Sequence, residues 1–155
     1  MTRRLVGLIS DTHGLLRPET VRRLQGSDLI VHAGDIGKVE VLEALRSVAP
    51  VTAVRGNIDK GIWAEGLPTT AAVEIDQVGV YVIHDIQRLD IVPEAAGFTV
   101  VVSGHSHHPS IHERNGVIYV NPGSAGPRRF SLPVSIALMH VQDRSVEVKL
   151  VTLDG

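Results

Sequence analysis

Continuous apolar runs alternate with polar clusters along the first third of the chain. Runs rich in Leu, Ile and Val predict strands buried on both faces, at 5–9, 29–31 and 51–54. Apolar residues at helical spacing between these runs predict helices over 18–25 and 39–45. The order strand, helix, strand, helix, strand is typical of a parallel sheet with right-handed crossovers.

The rest of the chain is richer in strand signals. Residues 71–75 and 78–83 are predicted to pair as a hairpin, and 99–103 form another apolar strand. A loop is predicted over 61–70 and a weak helix over 89–96.

Two further pairs of strands complete the pattern. They are 111–112 with 117–120, and 134–140 with 146–153. The turn at Asn115 and Gly116 is a hairpin signal. One sheet of so many strands would be very wide, so we predict an α/β fold in which two mixed β-sheets pack face to face and helices flank them. We expect a single domain over residues 1–155.

Composition narrows the class of protein. The chain has 155 residues, 43% of them hydrophobic, which supports a folded core rather than disorder. A net charge of -2 disfavours general nucleic-acid binding. The lack of cysteine excludes disulfides, thiolate metal sites and cysteine nucleophiles. No run approaches the ~18 apolar residues of a membrane helix, so we expect no membrane association and a cytoplasmic location.

Polar side chains follow five of the predicted strands. They are Asp11, His13, Asp35, Asn57, His84, His105 and His107. Ligand sites of open α/β sheets lie beyond the carboxyl ends of the strands, so we expect these side chains to converge. Because His105 and His107 are two residues apart, an extended segment would turn both toward one site.

The chemistry of these groups points to metal ions. Four imidazoles, two carboxylates and one amide suit divalent Mn, Fe, Zn, Co or Ni. Seven ligands exceed the needs of one catalytic ion. Two ions that share a carboxylate would use them all, which is the two-metal design that acts on phosphate esters.

These motifs resemble the calcineurin-like metallophosphoesterase superfamily, and within it the small YfcE-like phosphodiesterase branch. The resemblance covers nearly the whole chain. It rests on Asp11-x-His13, Gly34-Asp35, Gly56-Asn57-x-Asp59, His84, Gly104-His105-Ser106-His107 and Asn121-Pro122-Gly123-Ser124, in that order. Each string is short, but their order, each after an apolar run, makes the resemblance specific.

The resemblance implies a dinuclear metal site in a phosphoesterase, most readily a phosphodiesterase. The ligands would be Asp11, His13 and His107 for the first ion, Asn57, His84 and His105 for the second, and Asp35 as the bridge. Mn²⁺ is the expected metal, with Ni²⁺, Co²⁺, Fe²⁺ or Zn²⁺ as alternatives. A hydroxide bridging the ions would attack phosphorus in line with the leaving group of a small phosphate ester. Asp35, Asn57 and His84 would act in catalysis through the ions, and Asn57 would also contact substrate.

Two positions depart from the family pattern. Ile58 replaces a histidine that protonates the leaving group in many members, so we expect a preference for good leaving groups. Asp59 or His108 are candidate substitutes for that proton donor. Asp85 stands where glycine is usual, beside a predicted ligand. Arg128 is a candidate for binding the substrate phosphate.

Two other classes of function are compatible with this fold and these ligands. The same fold serves as a protein-binding scaffold in a eukaryotic retromer subunit whose site has lost ligands, whereas all seven ligand positions are filled here. A redox or oxygenase metal protein is another alternative. Such a protein would not require the Gly-Asn and Gly-His-x-His strings. The sequence leaves the oligomeric state open, and a homodimer is the commonest alternative to a monomer.

Overall fold

Two mixed β-sheets form the framework of the protein in a computed structural model that describes residues 3–129 and 131–153. The strands of these residues are β1 (Arg4–Ile9), β2 (Leu29–His32), β3 (Val51–Ala53), β4 (Thr70–Ile75), β5 (Val78–Ile83), β6 (Val100–Val102), β7 (Ser110–Arg114), β8 (Val117–Asn121), β9 (Val134–Gln142) and β10 (Ser145–Leu153). The first sheet has the order β10-β9-β1-β2-β3, and the second has the order β4-β5-β6-β8-β7.

Parallel pairing lies at the centre of both sheets. β1, β2 and β3 are parallel, and β9 and β10 extend the first sheet by antiparallel pairing. β5, β6 and β8 are parallel in the second sheet, with β4 and β7 antiparallel at its edges. The predicted hairpins and the parallel arrangement of the first three strands are confirmed.

Alternation along the strands divides the core into layers. Leu8 in β1 packs with Val80 in β5 and Val102 in β6, in a cluster that joins the facing sides of the two sheets. The next residue, Ile9, faces the opposite way and packs with Leu42 beneath the helices. The predicted fold class, two packed mixed sheets flanked by helices, is therefore confirmed.

Helices are short and lie mainly against the first sheet. They are α1 (Pro18–Leu24), α2 (Val39–Arg46) and α3 (Ile62–Glu65), with a 3₁₀ turn at Ile86–Arg88. Leu24 from α1 and Leu45 from α2 are fully buried. Across the part of the chain that is described, no helix has the length and apolar character needed to cross a membrane.

Two sequence predictions of local structure are wrong. α3 lies inside the predicted loop over 61–70, where it buries Ala64. The predicted helix over 89–96 does not form, and hydrogen-bonded turns such as Phe98 N–H to Pro93 C=O replace it. Pro93 lacks an amide hydrogen and clashes with the preceding turn of a helix, so it interrupts helical structure in the middle of that segment.

Candidate metal centre

Loops at the carboxyl ends of the central strands are joined by backbone hydrogen bonds. Asp11 N–H donates to Gly34 C=O at 3.0 Å, and His13 N–H donates to Asp35 C=O at 2.9 Å. Gly104 N–H donates to His84 C=O at 2.9 Å. The first pair of contacts lies within the first sheet and the last lies within the second, so each sheet holds its own loops in register.

Two glycines permit the closest approaches between these loops. A Cβ on Gly56 would collide with the backbone and carboxylate of Asp35, and one on Gly104 would collide with Ser10 and with the carboxylate of Asp11. Only glycine at these two positions lets a neighbouring loop reach the predicted ligand carboxylates. This requirement explains the glycines of the Gly-Asn and Gly-His strings.

The predicted ligands share an unusual backbone conformation. Among the described residues, eight that are not glycine have positive φ angles. Three of these lie in hairpin turns and five are predicted ligands: Asp11, His13, Asp35, His105 and His107. Strained backbone concentrates at functional sites because the surrounding fold must enforce it, so this distribution supports the predicted site.

The first ligand group contains Asp11, His13 and His107, each of which offers a ligand atom within 4.8 Å of the others. Asp11 Oδ1 lies 3.5 Å from His107 Nε2 and 3.8 Å from His13 Nε2. The other oxygen, Oδ2, accepts hydrogen bonds from the Ser10 hydroxyl at 2.6 Å and from His105 N–H at 3.0 Å. These bonds fix the carboxylate and leave Oδ1 directed at the two imidazoles.

The second ligand group contains Asp35, His84 and His105, again with ligand atoms within 4.8 Å. His84 Nδ1 is 2.8 Å from Ala33 C=O, an acceptor that requires the proton on Nδ1 and leaves Nε2 available as a ligand. His84 Nε2 lies 3.3 Å from Asp35 Oδ2. Asp35 Oδ1 accepts the Ile58 backbone N–H at 3.1 Å.

Asp35 lies between the two groups. Its Oδ2 is 3.3 Å from His84 Nε2 and 3.7 Å from His13 Nε2, which belong to different groups. His105 and His107, in contrast, belong to different ligand groups. His105 lies in the group of Asp35, and His107 lies in the group of Asp11. The expectation of an extended segment here is wrong, because both residues have positive φ and the chain turns between their side chains.

Several buried polar atoms of this site have no hydrogen-bond partner among the described residues. They are Asp11 Oδ1, His13 Nε2, His84 Nε2 and His107 Nδ1. A buried polar atom without a partner costs about 1–3 kcal/mol, so four in one place indicate an absent partner. Carboxylate oxygen and imidazole nitrogen are the ligands that borderline divalent ions accept, so the residues fit metal ions.

The electrostatics of the site also favour a cation. Burial raises the pKa of Asp11, but the imidazoles of His107 and His13 and the Ser10 hydroxyl outweigh it and hold that pKa well below its usual value. Burial likewise raises the pKa of Asp35, yet His84 and the Ile58 amide lower it overall.

The pKa of His84 changes in the opposite direction. Burial lowers it, but the contact with Asp35 and the charges of both carboxylates raise the pKa overall. The same negative potential that attracts a proton to this imidazole would stabilise a divalent ion.

Asn57 and Asp59 follow β3 and have different surroundings. Asn57 is exposed and lines a pocket together with His84. Asp59 is buried, and its two oxygens accept the N–H groups of Gly37 at 3.0 Å and Gly56 at 2.8 Å. Both carboxylate oxygens of Asp59 therefore hold backbone N–H groups and clamp two loops together.

The other candidate groups lie at the edge of the site. His108 is exposed, and its backbone N–H donates to Ser106 Oγ at 3.2 Å. Asp85 Oδ2 is 3.9 Å from His105 Nε2, while its Oδ1 accepts Gln87 N–H and begins the 3₁₀ turn. Arg128 is exposed and makes no hydrogen bond or ion pair among the described residues.

A buried network supports the loop that carries the first group. His32 Nδ1 accepts the N–H of Gly34 at 3.0 Å, so the ring proton lies on Nε2, which is 3.0 Å from the Thr12 hydroxyl oxygen. The Thr12 hydroxyl then donates to Ile36 C=O at 2.8 Å. His32 is therefore a packed, hydrogen-bonded histidine that supports this loop.

Residues 121–126 supply further support. Ser124 Oγ donates to Asp11 C=O at 2.9 Å, and Asn121 Nδ2 donates to Gly104 C=O at 3.0 Å. Arg17 Nη1 donates to the carbonyl groups of Ala125 and Gly126, at 2.8 and 2.6 Å. The sequence carried no sign of this last role, because Arg17 lies 108 residues from its first partner.

Comparisons with known protein families and sequences agree on one family. Residues 5–144 match the model of the calcineurin-like phosphoesterase superfamily domain. The chain is 34% identical to a probable metallophosphoesterase from Methanocaldococcus jannaschii, in an alignment that covers 97% of this chain and 82% of that protein.

Solved structures reproduce the fold. Vps29 from Entamoeba histolytica, solved in complex with Zn²⁺, aligns with a TM-score of 0.75 at 23% identity and covers 96% of this chain and 98% of its own. A structure described as a novel archaeal phosphodiesterase aligns with a TM-score of 0.76 at 20% identity, covering 95% and 99%. At these identities, the likeness concerns the fold.

Proposed function

The chain belongs to the calcineurin-like phosphoesterase superfamily, and from this premise we propose that it is a metal-dependent phosphodiesterase acting on small phosphate esters. The observation that carries the proposal is the pair of ligand groups with the Asp35 carboxylate between them. The buried ligand atoms without partners support metal binding, and metal-dependent turnover is what distinguishes the proposed enzyme from a scaffold.

Two divalent ions, Mn²⁺ by preference, are proposed to occupy the site. The ligands would be Asp11, His13 and His107 for the first, Asn57, His84 and His105 for the second, and Asp35 for both. When bound, such ions would bring the pKa of a shared water toward neutral and offset the charge of the phosphoryl oxygens.

The protein's own residues would orient this chemistry. The hydrogen bond from His84 to Ala33 C=O fixes the ring so that Nε2 faces Asp35. The Ile58 amide holds one oxygen of Asp35 and leaves the other between the ligand groups. Ile58 itself offers no proton to a departing alkoxide, and Asp59 is held by backbone N–H groups. Good leaving groups should therefore react best.

Asp85 supports a diester over a monoester substrate. Its carboxylate lies 3.9 Å from His105 Nε2, so it adds negative charge beside the second ligand group. A phosphodiester carries one negative charge at neutral pH and a monoester carries nearly two. Repulsion between Asp85 and the phosphate at the ligand groups would disfavour the monoester more.

Hydrolysis of two chromogenic esters tests the proposal. Metal-stripped protein should hydrolyse bis(p-nitrophenyl) phosphate when Mn²⁺ is added, and should do so faster than p-nitrophenyl phosphate. Asp35→Asn should lose most of the activity and most of the bound metal. Asp143→Asn is the matched control, since Asp143 lies in the β9–β10 turn and asparagine tolerates its φ of 57°.

A contrary result would be clear. If the protein binds Mn²⁺, Ni²⁺, Co²⁺ or Zn²⁺ but hydrolyses neither ester with any of them, catalysis is rejected in favour of a scaffold. Retention of two tightly bound ions by Asp35→Asn would reject the bridging role. If Asp85→Asn leaves the diester preference unchanged, charge repulsion is not its origin.

A further inference from the structure

A side pocket opens beside the second ligand group. Its volume is about 400 Å³, and Asn57 and His84 form part of its wall. Small-molecule sites commonly have volumes of about 300–1,000 Å³, so this pocket can hold more of a substrate than the phosphate that reacts. Because it shares residues with the candidate metal centre, a substrate group attached to that phosphate would lie next to this pocket.

Arg55 is the group in this pocket that most needs a partner. It follows the buried Val54, and its backbone N–H donates to Pro68 C=O at 2.8 Å, which fixes the start of the loop. The side chain is half-buried in the pocket wall and has no hydrogen bond or ion pair within residues 3–129 and 131–153. A guanidinium group is always charged at physiological pH and carries five N–H donors, so here they are free for a ligand.

Three other charged residues line this pocket: Asp85, Arg88 and Asp90. Arg88 Nε lies 3.9 Å from Asp85 Oδ2, at the exposed rim of the pocket. Asp90 also lines the rim and is exposed to solvent, where its charge is screened. Arg55 is therefore the less exposed of the two positive charges in the lining.

Hydroxyl groups add to the donors of Arg55. Thr69 precedes β4 and Thr70 is its first residue, and both line the same pocket. A planar guanidinium and hydroxyl groups together suit an anion with several oxygens, because each oxygen of a phosphate accepts more than one hydrogen bond.

We propose that Arg55 anchors a second phosphate group of the substrate in this pocket, while the diester that is cleaved lies at the ligand groups. The inference rests on the proposed phosphodiesterase function and narrows its substrate class to phosphodiesters that carry an additional phosphate. Arg55 is then a specificity-determining residue.

Two dinucleotides with the same scissile diester test this role. TpT has one phosphate, and its 5′-phosphorylated form pTpT has a second. In the Mn²⁺-loaded protein, kcat/KM should be about tenfold higher for pTpT, a preference of about 1.4 kcal/mol. Arg55→Ala should reduce the ratio to about one. Arg46→Ala removes the same charge from the exposed end of α2, outside the pocket, and should keep the ratio.

Calorimetric binding separates failure of this inference from failure of the proposed function. Thymidine 3′,5′-bisphosphate should bind the Mn²⁺-loaded protein about tenfold more tightly than thymidine 3′-phosphate, and Arg55→Ala should abolish the difference whether or not any ester is hydrolysed. A retained difference in Arg55→Ala would overturn the inference. So would an equal loss of kcat/KM for TpT and pTpT, which would place Arg55 at the reacting phosphate instead.

Discussion

Ile58 presents an exposed side chain next to the residue proposed to bridge the ions. Its backbone N–H donates to Asp35, and a substitution of the side chain leaves that bond in place. Ile58→His should therefore add a proton donor without dismantling the site. We expect hydrolysis of methyl phenyl phosphate, which has a poor leaving group, to increase by at least about tenfold relative to methyl p-nitrophenyl phosphate.

The control for this change is Ile58→Asn, which adds a polar group that does not titrate near neutral pH. It should leave the ratio of the two rates near the wild-type value. An unchanged ratio in Ile58→His would mean that solvent already supplies the proton, and that the missing histidine does not limit the reaction.

His32 makes stability depend on pH. Burial lowers the pKa of this fully buried imidazole to about 4, whereas an unfolded chain would titrate near 6.5. Between these values the unfolded state binds more protons than the folded state, so the free energy of unfolding falls as pH decreases from 6.5 toward 4. The total contribution is about 3 kcal/mol, because each pKa unit corresponds to about 1.4 kcal/mol.

Urea unfolding at a series of pH values measures this contribution. His32→Asn keeps an acceptor for the Gly34 N–H but cannot titrate, so its stability should fall less over the same window. Other groups titrate in both proteins, and the difference between the two curves isolates His32. Parallel curves would show that the imidazole is not held neutral in the fold.

At the scale of elements, the loops after β2 and β3 depend on the absence of a side chain at Gly56. A Cβ there would collide with Asp35, so Gly56→Ala should displace the ligand carboxylate. We expect a loss of about 1–3 kcal/mol in the free energy of unfolding and weaker Mn²⁺ binding.

Gly66→Ala provides the matched control. Gly66 follows α3 with a φ of -79°, and a Cβ there meets no atom within 4 Å. Alanine should be neutral or slightly stabilising at that position. Chemical unfolding and Mn²⁺ titration of both variants check the comparison. Equal effects of the two substitutions would contradict the role given to the close approach.

The elements that the sequence predicted well are those whose hydrophobic pattern extends without interruption. β1, β2 and β5 each follow from a run in which Val, Ile and Leu predominate, and the predicted bounds agree within one residue. The helix expected over 89–96 was wrong because its apolar spacing was weak and Pro93 lies inside it. α3 has four residues, too few for its period to be recognised.

The site shows the same division between local pattern and tertiary context. Asp11 and His84 were found because each follows a buried strand, and strand ends share an edge of the sheet. The clamp formed by Asp59 and the tether formed by Arg17 depend on distances between loops, which no local pattern contains. Asn57 could be identified from the Gly-Asn string, whereas Arg55, two positions earlier, belongs to no motif.

At the scale of the whole molecule, each ligand group joins the two sheets. In the first group, His13 follows β1 of the first sheet and His107 follows β6 of the second. In the second group, Asp35 follows β2 of the first sheet, and His84 follows β5 of the second. Ions bound to these groups would cross-link the sandwich at one edge and would bind the unfolded chain poorly.

Metal removal should therefore lower the melting temperature of the whole protein. A ligand present at 100 times its Kd stabilises the folded state by about 2.7 kcal/mol per site. For a chain of this length, 1 kcal/mol corresponds to about 2–4 °C, so each occupied site should raise Tm by about 5–10 °C. Calorimetry of chelator-treated protein, before and after addition of Mn²⁺, measures the change.

Asp35→Asn distinguishes this coupling from general effects of the ion. Asp35 is proposed to contact both ions, so its variant should lose most of the metal-dependent increase in Tm, while Asp143→Asn should keep it. Equal increases in both variants would show that Mn²⁺ stabilises the protein from another site. In that case the two ligand groups would not be the link that joins metal binding to the packing of the sheets.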